Sequence, residues 1–111
     1  MSTYTKVKLS GSTDGRPIAT VATSTPGTTV HTAHATALDE ILLVVSNIDT
    51  SDRDLTLEHG GTSTSDNLKF TIPAKSIVEL PALLLTNSLV LKAFADSANK
   101  INIAGAVNRI S

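Results

Sequence analysis

The strongest pattern of apolar and polar positions lies in residues 39–61, DEILLVVSNIDTSDRDLTLEHGG. Ile41, Leu42, Leu43, Val44 and Val45 form an unbroken apolar run, rich in branched residues and too short for a membrane helix, which predicts a strand covered on both faces. Residues 49–53 supply polar turn chemistry. Beyond them Leu55 and Leu57 alternate with Thr56 and Glu58, as in a strand with one wet face. The segment therefore predicts a hairpin. A helix over residues 33–45 is rejected, because the β-branched Ile41, Val44 and Val45 run straight into Ser46 and Asn47 with no helix-ending Gly or Lys.

The same alternation recurs downstream. Leu68, Phe70 and Ile72 alternate with Lys69 and Thr71, and Pro73 and Pro81 bracket the short run AKSIVEL. Leu83, Leu84 and Leu85 read as a further short strand beside the turn residues Thr86, Asn87 and Ser88. Leu89, Leu91, Ala93 and Ala95 oppose Val90, Lys92 and Phe94, and in KINIAGAVNRI one face carries Ile101, Ile103 and Val107, with Gly105 as a bulge or a close approach. Strands are expected near residues 28–35, 41–48, 54–59, 68–73, 76–80, 88–95 and 100–110. The expected fold is all-β: a β-sandwich, Greek-key or jelly-roll-like, of about seven to eight short antiparallel strands.

Residues 1–27 look different. They are rich in Ser, Thr and Gly, with short apolar pieces and turn signals at Gly11, Asp14-Gly15 and Pro26-Gly27. One reading is a loose terminus with a single edge strand; the other is an extended N-terminal arm, residues 1–27, leaving 28–111 as the self-sufficient sandwich. Charge favours the arm as a docking element, since Lys6, Lys8 and Arg16 against Asp14 give residues 1–38 a balance of +2. Residues 39–66 stand at −6 and residues 67–111 at +3, for −1 in the whole chain. Tyr4, Lys6, Lys8 and Arg16 are accordingly the expected partner-binding residues. Neither basic segment is dense enough to argue for nucleic acid.

With 111 residues the chain suits one domain, and with aromatics at only 3% its core must be built from Val, Ile, Leu and Ala. So thin a core, beside apolar runs at 41–45 and 83–85, leads to the expectation of a homo-oligomer, a trimer first and a dimer next. Cysteine is absent, which excludes disulfides and thiolate metal sites. The polar start MSTYTKVKLSG is unlike a secretion signal and no run is long enough to span a bilayer, so synthesis in a cytoplasm and no membrane partner are expected.

Catalytic constellations are not legible. His31 and His34 form H-x-x-H, but residues three apart on a strand point to opposite faces. No Ser sits in a nucleophile elbow or beside a base at a recognisable spacing. Asp49, Asp52 and Asp54 are the best candidate cation cluster, without the EF-hand order of ligands, and read first as a solvated turn. SGSTDG and HGGTSTS lack the lysine of a phosphate loop, and Phe70 and Phe94 are expected in the core rather than as a sugar platform. No catalytic residue, metal or cofactor is expected.

The stretches SGSTDGRPIATVATSTPGTTVHTA, DEILLVVSNIDTSDRDLTLEHGGTS, LKFTIPAKS and LVLKAFADSANKINIAGAVNRI together resemble a family of small all-β virion proteins of tailed bacteriophages. The resemblance covers nearly the whole chain and rests on framework pieces: the Gly15-Arg16 turn, residues 28–33, 58–62 and 105–110. The chain departs from the family at Pro17, where a smaller or more flexible residue is usual, which bears on the path of the arm. The resemblance implies a head decoration or cement protein on the outer surface of the capsid, with the major capsid protein as partner. Its mechanism would be linkage, because a protein that binds only the assembled lattice stabilises that lattice. The alternative it implies is a tail- or fibre-associated module that binds a carbohydrate or receptor.

Overall fold

The computed structural model describes residues 3–111; Met1 and Ser2 of the expected arm lie outside the described residues. In chain order the strands are β1 (Tyr4–Lys8), β2 (Ile18–Ala19), β3 (Thr28–Thr32), β4 (Leu38–Asn47) and β5 (Arg53–His59). After a single 3-10 turn at Thr64–Asp66 come β6 (Asn67–Ile72), β7 (Ile77–Glu79), β8 (Leu83–Leu85), β9 (Val90–Ala95) and β10 (Ile101–Ile110).

These strands form two antiparallel sheets. The front sheet is built on β4 and β10, paired over ten positions from Asn47↔Ile101 to Leu38↔Ile110. Two short strands flank each side: β1 and β2 share the far edge of β10, while β7 and β8 share the far edge of β4. The back sheet has the order β3-β9-β5-β6. With each short pair counted as one position, both sheets are four positions wide, and the chain visits them front, back, front, back, back, front, back, front. That is the winding of a jelly roll.

The core lies where the inner faces meet. Ile41, Leu43 and Val45 of β4 and Ile101, Ile103 and Val107 of β10 pack against Leu55 and Leu57 of β5 and Leu91, Ala93 and Ala95 of β9. Each full burial of a Leu, Ile or Val contributes roughly 1.5–3 kcal/mol, so aliphatic area substitutes for the missing aromatics. Close backbone approach is part of this packing, since a Cβ on Gly105 would overlap the carbonyl oxygen of Leu42 on the neighbouring strand.

Four expectations change. The strands number ten among the described residues rather than seven or eight, because both sheet edges are built from short pieces. Residues 39–61 are not a hairpin: β4 lies in the front sheet and β5 in the back sheet. The intervening loop is held across the gap by Asn47, whose Nδ2 donates to the carbonyls of Ser51 (3.0 Å) and Ile72 (2.9 Å) while its Oδ1 accepts from the Asp49 N–H (2.9 Å). β4 is covered on one face only, with Leu42 and Val44 exposed at 36% and 37%. Nor does the sandwich begin at Pro26-Gly27. β1 pairs with β10 from Tyr4↔Ile110 to Lys8↔Ala106, β2 pairs with the same strand, and Leu9 and Ile18 are core residues. Ten residues of β10 offer a long edge, and an antiparallel strand from the same chain satisfies its backbone groups.

Candidate functional site

The outer face of the front sheet carries exposed apolar side chains, among them Leu42, Val44, Ile77 and Leu84, and its composition follows from the strand registers. Residues that alternate with the core set point outward: Tyr4, Lys6 and Lys8 on β1, opposite Ile110, Asn108 and Ala106 on β10. Those in turn oppose Leu38, Glu40 and Leu42 on β4, and Ala104 opposes Val44. Glu79 of β7 completes the Val44 row and Leu84 of β8 the Glu40 row. The face thus has a basic flank on β1, Ala104 and Ala106 at the centre of β10, an apolar ridge on β4 with Glu40 at its end, and Ile77, Glu79 and Leu84 exposed on the β7–β8 side. Among the described residues none of Lys6, Lys8, Glu40 or Glu79 takes part in an ion pair. Glu40 accepts one bond from Asn108 Nδ2 (3.1 Å).

Three of the four expected partner-binding residues are brought together here. Tyr4, Lys6 and Lys8 are exposed on one face, and Tyr4 and Lys6 line a groove of about 480 Å³ with Glu40, Asn108 and Ile110. Arg16 stands apart. It closes a tight turn by donating its N–H to the Thr13 carbonyl (3.0 Å), with Asp14 and Gly15 both at positive φ, and it lines a separate cavity of about 270 Å³ with Ser12, Pro17 and Ile18.

Behind this face sits a buried ionic cluster. Asp39 is fully buried on β4 and accepts from Arg109 Nε (2.8 Å) and Nη2 (3.0 Å), from His31 Nε2 (2.7 Å) and from the His34 N–H (3.2 Å). Burial pulls the carboxyl's pKa upward, but the hydrogen bonds from Arg109, His31 and His34 and the guanidinium charge outweigh it and hold the pKa at about 2. The carboxylate correspondingly raises the Arg109 pKa, against burial that lowers it. The second ring nitrogen of His31 accepts the Ser10 N–H (3.0 Å), so both nitrogens are engaged and neither is left to activate a hydroxyl. The Ser10 hydroxyl accepts from the Thr32 N–H (2.6 Å). This Ser, His and Asp grouping ties the β1–β2 connection, β3, β4 and β10 together; it is not arranged as a nucleophile and base.

The other candidate groups disperse. His34 is exposed where His31 is buried, and its Nδ1 accepts the N–H groups of Thr36 (3.1 Å) and Ala37 (3.0 Å). Asp49 pairs with Arg53, Asp52 accepts from the Ala74 N–H (2.9 Å), and Asp54 accepts from the Thr71 hydroxyl (2.7 Å). The three carboxylates therefore do not converge, and among the described residues no group of three or more His, Cys, Asp or Glu side chains is placed to hold a metal ion.

On the back sheet the face expected to be wet is partly covered. Thr56 and Glu58 are buried, and Glu58 accepts from the Thr25 hydroxyl and the Gly27 N–H, both at 2.5 Å, which clamps the connection between β2 and β3 over β5. Beside it Phe94, expected in the core, lines a shallow cavity of about 170 Å³ with Asp54, Thr56, Lys69 and Asp96. Sequence reasoning missed the Asp39 and Glu58 clusters. Their one local signal is a carboxylate where the strand pattern calls for an apolar or exposed residue, whereas their partners lie up to 70 positions away. Comparison of the sequence with protein-family models finds no match, and comparison with curated proteins finds none.

Proposed function

We propose that the chain is a structural protein of a bacteriophage virion, of the decoration or cement type, that binds an assembled shell and stabilises it by joining neighbouring subunits. The observation that carries this reading is the open front-sheet face, where Tyr4, Lys6 and Lys8 flank exposed Leu42 and Val44. Such a face suits protein–protein contact: apolar in the middle, charged at its flanks. The sequence resemblance supplies the shell as partner, since the jelly roll serves many functions and identifies none. Binding only the assembled lattice would stabilise it by the binding free energy, repeated at each copy.

Substitution tests this reading better than truncation, because deleting residues 1–24 would remove β1, β2, Leu9 and Ile18 from the sandwich itself. Occupancy on emptied capsids should fall for the Lys6→Glu/Lys8→Glu protein and for Leu42→Glu, with the thermal melt of each variant checked. Equal occupancy for all three proteins would defeat the reading. A receptor-binding module at a tail or fibre is favoured by one observation, the cavity of Phe94, Lys69, Asp54 and Asp96 on the back sheet. Saccharide binding that Phe94→Ala abolishes, with no capsid occupancy, would put that reading first.

A further inference from the structure

We infer that the outer face of the front sheet is self-complementary and takes a second copy of this chain, about a two-fold axis that runs along the strands between β4 and β10. The inference rests on the proposed joining role and deepens it: copies seated on neighbouring shell subunits would join through this face, which leaves attachment to the shell to the other surfaces of the pair.

Two independent patterns on the face ask for the same symmetry operation. The first is shape. Leu42 lies directly opposite Ala106 in the sheet, and Val44 opposite Ala104. The β4 side of the centre line is therefore a ridge and the β10 side a shallow trough. A two-fold axis along that line lays β4 of one copy on β10 of the other without shifting the rows. Leu42 then enters the trough at the partner's Ala106, and Val44 at the partner's Ala104.

The second pattern is charge. The same operation exchanges the two flanks, so the β1 flank of one copy lies over the β7–β8 flank of the other. Lys6 then lies over the partner's Leu84, one strand aside from the partner's Glu40 in the same row, and Lys8 lies one outward-facing row from the partner's Glu79, so both lysines come within side-chain reach of an acid on the partner. All four groups lack an ion-pair partner within the chain among the described residues. A two-fold axis across the strands would instead set β1 on β1 and bring lysine against lysine, which is unfavourable.

The area is sufficient. Four strand positions about 4.8 Å apart and roughly 33 Å long give a face of about 600 Å², or about 1,200 Å² buried in the pair, the lower end for a specific complex. Such an axis closes at two copies. It favours a dimer over the trimer that the sequence led us to expect.

Sedimentation velocity on the full chain tests the pairing, with thermal melts confirming that each variant folds. The wild-type protein should sediment as a dimer of the 11.5 kDa chain. Lys8→Glu alone and Glu79→Lys alone should each weaken the dimer by roughly tenfold or more, since either reversal sets like charges together at two symmetric places. Mixing the two single variants should restore association as a heterodimer, and the Lys8→Glu/Glu79→Lys protein should pair with itself. A wild-type monomer at millimolar concentration, a trimer, or single variants that are not rescued on mixing would each overturn the inference. Particle binding by a protein that never pairs would also overturn it while leaving the virion assignment intact. An intact rescue pattern without particle binding would support the pair and remove only that assignment.

Discussion

Replacing Asp39 by Asn removes one negative charge from the most buried ionic cluster of the molecule and leaves the shape of the side chain almost unchanged. In the native protein the carboxylate accepts four hydrogen bonds, two from Arg109, one from His31 and one from the His34 N–H. An amide keeps one oxygen acceptor and turns an NH₂ donor toward groups that are themselves donors. Breaking a buried pair by removing one partner costs about 3–5 kcal/mol. Arg109 is 27% exposed and regains some water, which puts the expected cost near the lower end, about 3 kcal/mol. For a domain of this size that is roughly 12 °C of melting temperature, out of a total stability of about 5–15 kcal/mol. Thermal and urea unfolding at pH 7, followed by circular dichroism, give both numbers. The acid limb adds a second test. The folded-state pKa of about 2 lies below the ordinary 3.8, so the contribution is complete above about pH 5 and is lost as pH falls through 4 toward 2. That lost share is about 2 kcal/mol, and it should disappear from the pH dependence of the Asp39→Asn protein. A melting temperature within about 3 °C of wild type, or an unchanged acid limb, would refute the account of Asp39 as the tie between the strands.

Two further outcomes follow from the packing. Glu58→Ala should cost about 2–4 kcal/mol, because it deletes two hydrogen bonds to a buried carboxylate, and hydrogen exchange should rise across residues 23–28 with β4 and β10 unaffected; uniform exchange would remove the clamp from the explanation. Gly105→Ala should cost at least about 2 kcal/mol in a urea titration, since the added Cβ overlaps the Leu42 carbonyl oxygen on the partner strand, and a neutral result would show that β4 and β10 separate easily.

Much of the architecture is legible in the local pattern. A strand buried on one face must alternate, and Leu55 with Leu57, Leu91 with Ala93 and Ala95, and Ile101 with Ile103 all face the core as their spacing requires. Turn chemistry is equally local: Asp14-Gly15 and Asn87-Ser88 adopt the positive φ angles that tight turns require. What the local pattern does not carry is which strand meets which. Ile41 pairs with Val107, and that choice, not any property of residues 39–61, sends β4 and β5 into different sheets. β1 was hard to read because an edge strand buries little. In YTKVK only Val7 packs on the core, and the strand is held by the unpaired edge of β10. Leu42 and Val44 look identical in sequence to the core residues beside them. Whether their side of the sheet is covered depends on the other layer, and here they stay exposed among the described residues. The candidate site was half legible for the same reason. The exposed lysines announce themselves by charge, whereas the ridge and trough beside them exist only once β4 and β10 lie in register and set Leu42 and Val44 against Ala106 and Ala104.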